Sequence, residues 1–169
     1  MRTLITLSLL LFSSVSLFAQ RYVPSNEKAP MFPREFRAAW VACVYNIDWP
    51  SKPGLSAAAQ KTELLRIINK ADELNLNAII FQVRPNADAL YRSSLEPWSH
   101  WVSGKMGKSP GYDPLAFCIA EAHKRGIEVH AWFNPFRALA NKDHATSSGH
   151  VTRTHPSSIK IYKNYKWMN

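Results

Sequence analysis

The chain has 169 residues, enough for a domain with a sizeable core but short of the roughly 250 residues of a complete (β/α)8 barrel. With 46% hydrophobic and 12% aromatic residues, the composition is globular and excludes a disordered chain. The net charge is +9, and the residues from Asn134 onward hold six Lys or Arg against one acid. This basic segment is interpreted as a solvated face, with attraction to an anionic polymer or membrane surface as the alternative. The sequence has no nucleic-acid-binding motif, so no nucleic-acid partner is expected.

Residues 1–19 have the pattern of a secretory signal peptide. Arg2 precedes an apolar run from Leu4 to Phe18, and Ala19 is a small residue suited to cleavage. No cysteine follows this segment to carry a lipid anchor. No second apolar run is close in length to a membrane-spanning helix, which needs about 20 residues. We therefore expect an exported protein, periplasmic or extracellular, without a stable membrane anchor.

The first strand and helix follow a proline-rich lead-in. Residues 20–35 contain three prolines and no periodicity, which predicts a linker before a domain over residues 36–169. Residues 36–44 are an apolar run of strand length, and residues 45–54 form a loop with two prolines and a glycine. Ser56 is predicted to cap the helix that follows. The apolar face of this helix consists of Leu64, Ile67, Ile68, Ala71 and Leu74.

A second strand and helix come next. Residues 77–84 are predicted to form a strand that ends before proline, and the long segment 85–112 shows little periodicity. Residues 113–126 have clear helix signals, with Asp113 as N-cap and Gly126 as the C-terminal stop. A helix is therefore expected between the second and third strands.

The third strand is predicted over residues 127–133, followed by a polar loop over 134–155 and a short third helix from Pro156. Strands joined through helices are parallel, so the order β-α-β-α-β predicts an α/β fold. The loops after the strands are long and the turns before them short. In such folds the loops at the carboxyl ends of the strands form the functional site.

Alternation along the second and third strands predicts one apolar and one mixed polar face. An open sheet covered on both sides would prefer two apolar faces, so a barrel with the mixed face inward explains the pattern better. The fold is therefore predicted to be a partial (β/α)8 TIM barrel of about three βα units. The residues expected to point inward are Ile80, Gln82, Arg84, Glu128, His130, Trp132 and Asn134.

Polar side chains near the strand ends indicate a site. Burying such groups unpaired costs on the order of 1–3 kcal/mol each, so Gln82, Arg84, His130 and Asn134 must bond each other, water or a ligand. A satisfied internal network is the alternative, and it is favoured for His130 taken alone. The loops also contain aromatic rings that could stack on sugars, although some are expected only to anchor loops. These rings are Tyr45, Trp49, Tyr91, Trp98, Trp101 and Tyr112.

Other chemistries have weaker support. The sequence has no HxH or HExxH metal motif, and neither a metal nor a cofactor is expected. Asp48 and Asp88 lie on the site side, but neither is convincing as a general acid, and Asp48 is a weak catalytic candidate. Cys43 and Cys118 fit best as small buried hydrophobes with free thiols, although export would permit a disulfide.

Several motifs resemble one family. NIDWP, QVRP, DALY, YDPL and HAWFNP match the amino-terminal part of the glycosyl-hydrolase-like 10 family (the DUF187 group) over roughly residues 34–169. The resemblance implies a TIM-barrel hydrolase acting on a carbohydrate polymer, with bacterial cell-wall glycan strands as a suggested substrate. The positions that match family motifs are Asp48, Gln82, Arg84, Asn86, His130, Trp132, Asn134 and Arg137.

The resemblance also has a departure. The resemblance implies that an acidic motif of the type DG(I/V)HFDDY supplies the catalytic carboxylates, and this motif is absent from this sequence. The expectation is therefore a fragment or truncated product, marginally stable alone, with open edges at its outer strands.

Three hypotheses of function follow. They are the amino-terminal part of an exported glycoside hydrolase, a non-catalytic glycan-binding remnant, and, less favoured, a metal-dependent carbohydrate deacetylase. The predicted substrate-binding residues are Asp48, Trp49, Gln82, Arg84, Asn86, Asp88, Tyr91, His130, Trp132, Asn134 and Arg137.

Overall fold

The structure is a computed structural model that describes Asn26 and residues 35–169. The chain divides into two units, Met1–Arg34 and Glu35–Asn169. The predicted signal peptide and nearly all of the lead-in fall in the first unit, outside the described residues, and remain predictions. Within the described residues, no helix is both long and apolar enough to cross a membrane.

A parallel sheet of three strands forms the centre of the second unit. β1 (Ala38–Val41) pairs with β2 (Ala78–Arg84), and β2 pairs with β3 (Glu128–Phe133), both in parallel. The strands alternate with helices along the chain, which confirms the predicted α/β class and is consistent with part of a TIM barrel.

The two long helices begin where the sequence signals place them. α1 (Ala57–Glu73) is capped by the Ser56 side chain, which accepts a hydrogen bond from the backbone N–H of its third residue. A short helix, α2 (His100–Ser103), lies within the long segment after β2. α3 (Pro114–His123) is capped in the same way by Asp113. α1 and α3 contact each other beside the sheet.

The core lies between the sheet and these helices. Ile79, Phe81 and Val83 of β2 are fully buried in one cluster with side chains of α1 and α3, as the alternation predicted. Cys43 and Cys118 are buried in this cluster as free thiols, which confirms the interpretation as small hydrophobic residues.

The opposite face of the sheet carries exposed aromatic rings. Trp40, Ile80 and His130 lie side by side in the strand register. Trp40 is 62% exposed, and its ring meets the edge of Trp132 at 4.9 Å between centroids. Phe36 packs edge-on against His130 at 5.2 Å. Trp40 therefore shares the mixed face, a choice that the sequence of β1, apolar on both faces, had left open.

Residues 134–155, predicted to be a polar loop, contain regular structure. β4 (Arg137–Leu139) lies near their start and the one-turn helix α4 (Val151–Thr154) near their end. The helix predicted from Pro156 is one turn of 3₁₀ helix, Pro156–Ser158.

A β-hairpin follows that the sequence interpretation did not anticipate. β5 (Ile159–Tyr162) and β6 (Tyr165–Met168) pair antiparallel, and β4 pairs with β6 to complete a second sheet in the order β4-β6-β5. Lys163 adopts a φ of 53° in the two-residue turn, a conformation suited to tight hairpins. The apolar and aromatic residues alternate with lysines in this segment, which favours a strand over a helix.

Candidate functional site at the strand ends

An ion pair lies at the carboxyl end of β2. The Arg84 Nε donates to both carboxylate oxygens of Glu96, at 2.7 and 2.8 Å, and an Nη also contacts that carboxylate. The guanidinium donates further to the Asn134 backbone carbonyl at 2.7 Å. The two charged side chains are only 14% and 19% exposed. Arg84 therefore joins the loop after β2 to the end of β3, and its charge is balanced within the site.

A hydrogen-bonded cluster continues along the end of β3. The Trp132 indole N–H donates to Asn134 Oδ1 at 2.9 Å, and Asn134 Nδ2 donates to the Pro85 carbonyl at 3.1 Å. Arg137 Nε donates to the same carbonyl at 3.0 Å. These bonds fix the orientation of the indole and hold β4 against the end of β2.

A shallow cleft opens beside this cluster, with a volume of about 170 Å³. Its walls include two aromatic rings, Phe136 and Trp167, together with Asn134 and Arg137. Phe136 is 66% exposed. The cleft combines apolar ring surface with groups able to form hydrogen bonds, and we call it the Trp167 cleft.

Two predicted site residues hold the loop after β1. Gln82 is fully buried, and its Oε1 accepts hydrogen bonds from the backbone N–H groups of Cys43 at 3.1 Å and Val44 at 3.0 Å. Asp48 is exposed, and its Oδ2 accepts from the Ala42 N–H at 2.7 Å. Both side chains therefore use an acceptor oxygen to position the backbone at the end of β1 and in the loop that follows it.

Asn86 and Asp88 are fully buried where the second loop meets the later chain. Asn86 Oδ1 accepts from the Ala140 N–H at 3.0 Å, and its carbonyl lies 2.8 Å from His150 Nε2. Asp88 Oδ1 accepts from the Asn86 N–H at 2.9 Å. Burial raises the pKa of Asp88 to about 6, although the neighbouring Ser99 side chain acts against this increase.

Two aromatic predictions have different placements. Trp49 is fully buried in the core, where its Nε1 donates to the Gln60 carbonyl at 2.9 Å, so its ring anchors the loop and has no surface for a sugar. Tyr91 is partly buried against Phe133, at 6.2 Å between ring centroids. Burial also raises the pKa of Tyr91.

His130 lies away from the strand ends. It pairs with Ile80 in the middle of the sheet, and its side chain is 47% exposed. Its Nε2 is 3.0 Å from the Glu128 carboxylate on the same face. His130 thus belongs with the exposed rings of the mixed face and is not part of the Arg84 cluster.

The structure therefore brings together only part of the predicted set. The predicted residues that meet at the ends of β2 and β3 are Arg84, Trp132, Asn134 and Arg137. Glu96 and Trp167 join them without having been singled out from the sequence. Glu96 had no signal, because it lies in a segment without periodicity, whereas the alternation around Trp167 could have indicated a strand.

No group of three or more His, Cys, Asp or Glu in the described part of the chain is arranged to hold a metal ion. The polar groups at the strand ends are amides, guanidinium groups and single carboxylates. Such groups suit hydrogen bonding to a ligand rich in oxygen atoms.

Fold and site together define part of a (β/α)8 barrel with polar and aromatic side chains at the carboxyl ends of its strands. The family model for glycosyl hydrolase-like 10 matches residues 35–169, and the chain belongs to this family.

Two named relatives support this assignment. The chain is 49% identical over 133 residues to the glycosyl hydrolase YngK of Bacillus subtilis (strain 168), covering 78% of this chain and 26% of that protein. It is 39% identical over 151 residues to the glycosyl hydrolase DigH of Escherichia coli (strain K12), covering 82% of this chain and 34% of that protein. The chain thus spans a quarter to a third of the length of these relatives.

Proposed function

We propose that this chain is the amino-terminal part of an exported glycoside hydrolase and that its strand ends bind a carbohydrate polymer. The proposed substrate is a bacterial cell-wall glycan strand. The family membership supports the hydrolase class, and the signal-peptide pattern of residues 1–19 supports export.

The Trp167 cleft is the observation that carries the glycan proposal. Sugar rings present C–H faces that pack on aromatic rings and hydroxyl groups that need hydrogen-bond partners. The cleft places Phe136 and Trp167 beside Asn134 and Arg137. The bonds from Asn134 and Arg137 to the Pro85 carbonyl hold these two side chains in place before a ligand arrives, which lowers the entropy cost of binding.

A second candidate is glycan binding without hydrolysis. Glycoside hydrolysis usually needs two carboxyl groups about 5–10 Å apart. Of the acids near the strand ends, Glu96 is paired with Arg84, Asp88 is fully buried, and Asp48 accepts a backbone hydrogen bond. These engagements favour a binding role for the described residues themselves.

Binding is tested by affinity electrophoresis of the chain in gels that contain soluble cell-wall glycan strands. Trp167→Ala should raise the dissociation constant obtained from the retardation about tenfold, which is the loss expected when one stacked ring is removed. Tyr162→Ala is the matched control, because this exposed ring lies in the same hairpin but outside the cleft lining. Equal retardation of the parent and Trp167→Ala would refute the cleft as the binding surface.

Hydrolysis is tested separately by measuring new reducing ends released from the same strands. Release that Asp48→Ala abolishes would support the hydrolase and give Asp48 a catalytic role. Retardation without release would mean that this chain binds the glycan without cleaving it. An in-frame continuation of the gene that carries the acidic motif would then favour the hydrolase, and a stop codon would favour the second candidate. If neither retardation nor release is observed, both candidate functions are refuted.

A further inference from the structure

A second and larger cavity lies away from the Trp167 cleft lining. It has a volume of about 420 Å³, within the range of about 300–1,000 Å³ typical of small-molecule sites. Its walls come from the segment around α2, including His100 and Lys105, and from the segment before α4, including His144 and Ser147. We call it the His100 cavity.

The His100 cavity is bordered by buried polar atoms that lack partners. Both ring nitrogens of His100, the Nδ1 of His144 and the Oγ of Ser147 are buried without a hydrogen bond. Behind His100, the fully buried Asp88 holds an unpartnered Oδ2 at 3.9 Å from His100 Nδ1. Leaving such a group unsatisfied costs about 1–3 kcal/mol, so these atoms require a ligand or ordered water.

Ring packing fixes the positions of these groups. The His100 ring lies 3.9 Å from the Trp101 ring and 4.5 Å from the His144 ring, measured between centroids. Trp101 is itself packed against Tyr45 from the loop after β1. The two imidazoles are therefore held by tilted and edge-on contacts between rings, which makes the cavity wall a preformed surface.

The chemistry of the wall favours a neutral ligand with hydroxyl groups. Burial, assisted by the neighbouring histidines, lowers the pKa of His100 to about 4, so the ring is neutral at pH 7 and offers one donor and one acceptor. Ser147 can both donate and accept. Lys105 also lines the cavity and can donate to a hydroxyl oxygen. The carboxyl group of Asp88, 3.9 Å from His100 Nδ1, disfavours an anion beside the histidines, and the described residues offer no three-ligand set for a metal.

We propose that the His100 cavity binds a single sugar residue through its hydroxyl groups. The choice of a sugar rests on the proposed glycan function, whereas the place and polarity of the cavity do not. The cavity would act as a binding site separate from the Trp167 cleft, with His144 and Ser147 as contacts.

The test is an NMR titration of the full chain with glucose and with N-acetylglucosamine, followed on the imidazole signals. We expect saturable shifts of the His100 and His144 signals. Ser147→Ala should raise the dissociation constant about tenfold, the usual effect of losing one well-placed hydrogen bond. His144→Ala should do so as well, and His123→Ala, an exposed histidine on α3, is the matched control.

The outcomes separate this inference from the proposed function. Imidazole signals that do not shift on addition of sugar would overturn the inference and mean that water fills the cavity. A dissociation constant that Ser147→Ala leaves unchanged would overturn it as well. Tighter binding of inorganic phosphate than of either sugar would overturn it in favour of an anion site. Sugar binding that survives Trp167→Ala would support the cavity even if polymer retardation is absent. Retardation of the chain by the polymer, without sugar-induced shifts of the His100 and His144 signals, would support the proposed function and overturn the inference about the cavity.

Discussion

Replacing Asp88 by Asn tests whether a buried carboxyl group limits the stability of this site. Asp88 is fully buried, with one oxygen bonded to the Asn86 N–H and the other unpartnered near His100. Burial raises its pKa from 3.8 to about 6. Asparagine keeps the shape and the acceptor for Asn86, and its amide can donate toward the neutral His100 ring.

The size and sign of the effect follow from the pKa of Asp88. The folded state holds the proton more tightly than the unfolded state, so the resulting stability is complete below pH 3.8 and is lost as the pH rises through about 6. At about 1.4 kcal/mol per pKa unit, the loss approaches about 3 kcal/mol. At pH 7, Asp88→Asn should therefore be more stable than the parent by up to about 3 kcal/mol, and this gain should vanish near pH 4.

Urea unfolding followed by tryptophan fluorescence between pH 4 and pH 7 measures this difference. His100, with its lowered pKa, contributes stability that is lost as the pH falls from 6.5 to about 4, so the difference at pH 7, where its ring is neutral, is the direct measure of the Asp88 effect. Asp72→Asn, on the exposed side of α1, is the matched control. A difference that does not change with pH, or a parent that is the more stable protein at pH 7, would refute the reasoning.

Three further experiments, two substitutions and one thiol modification, test the packing of the core and of the strand ends. Trp49→Phe removes the hydrogen bond to the Gln60 carbonyl and should lower the free energy of unfolding by about 1–3 kcal/mol in urea titrations; a loss below about 0.5 kcal/mol would contradict its core role. Glu96→Gln leaves Arg84 without its counter-charge in a mostly buried place and should cost about 1–3 kcal/mol, whereas an unchanged urea midpoint would show that the pair is dispensable. Burial raises the pKa of the Cys118 thiol to about 12, so a disulfide reagent should modify it slowly in the folded chain and rapidly in urea, and fast modification without urea would count against its burial.

Much of the parallel part of the fold could be predicted because its signals are local. Ser56 and Asp113 cap helices through bonds to residues three positions away. The alternation in β2 predicted its helix-facing side from adjacent residues alone. The hairpin after Pro156 was missed because a proline at that position suits either a helix start or a single turn, and only the alternation beyond it distinguishes the two.

The site could be predicted less well because its contacts join distant positions. The pairing of Arg84 with Glu96 crosses a loop without periodicity, and that of His100 with His144 joins two separate loops. The sequence around Trp49 does not distinguish a ring that stacks on a sugar from a ring that fills the core. The core placement depends on a distant partner, the Gln60 carbonyl of α1, which accepts the hydrogen bond from the indole.

The hydrogen bonds at the strand ends also indicate what kind of ligand suits them. Gln82, Asn86 and Arg137 each use part of their capacity to hold backbone, through bonds to Cys43, Ala140 and Pro85 respectively. The buried groups that they leave unpartnered are all donors: Gln82 Nε2, Asn86 Nδ2 and Arg137 Nη2. Gln82 and Asn86 are fully buried, so their side chains act on the backbone and do not meet a ligand. Arg137 differs because it lines the Trp167 cleft, where the guanidinium repels a cation and can donate to the hydroxyl and ring oxygens of a glycan. The charge of Arg137 therefore supports the ligand class that the aromatic walls of this cleft suggest, by an argument that does not depend on ring stacking.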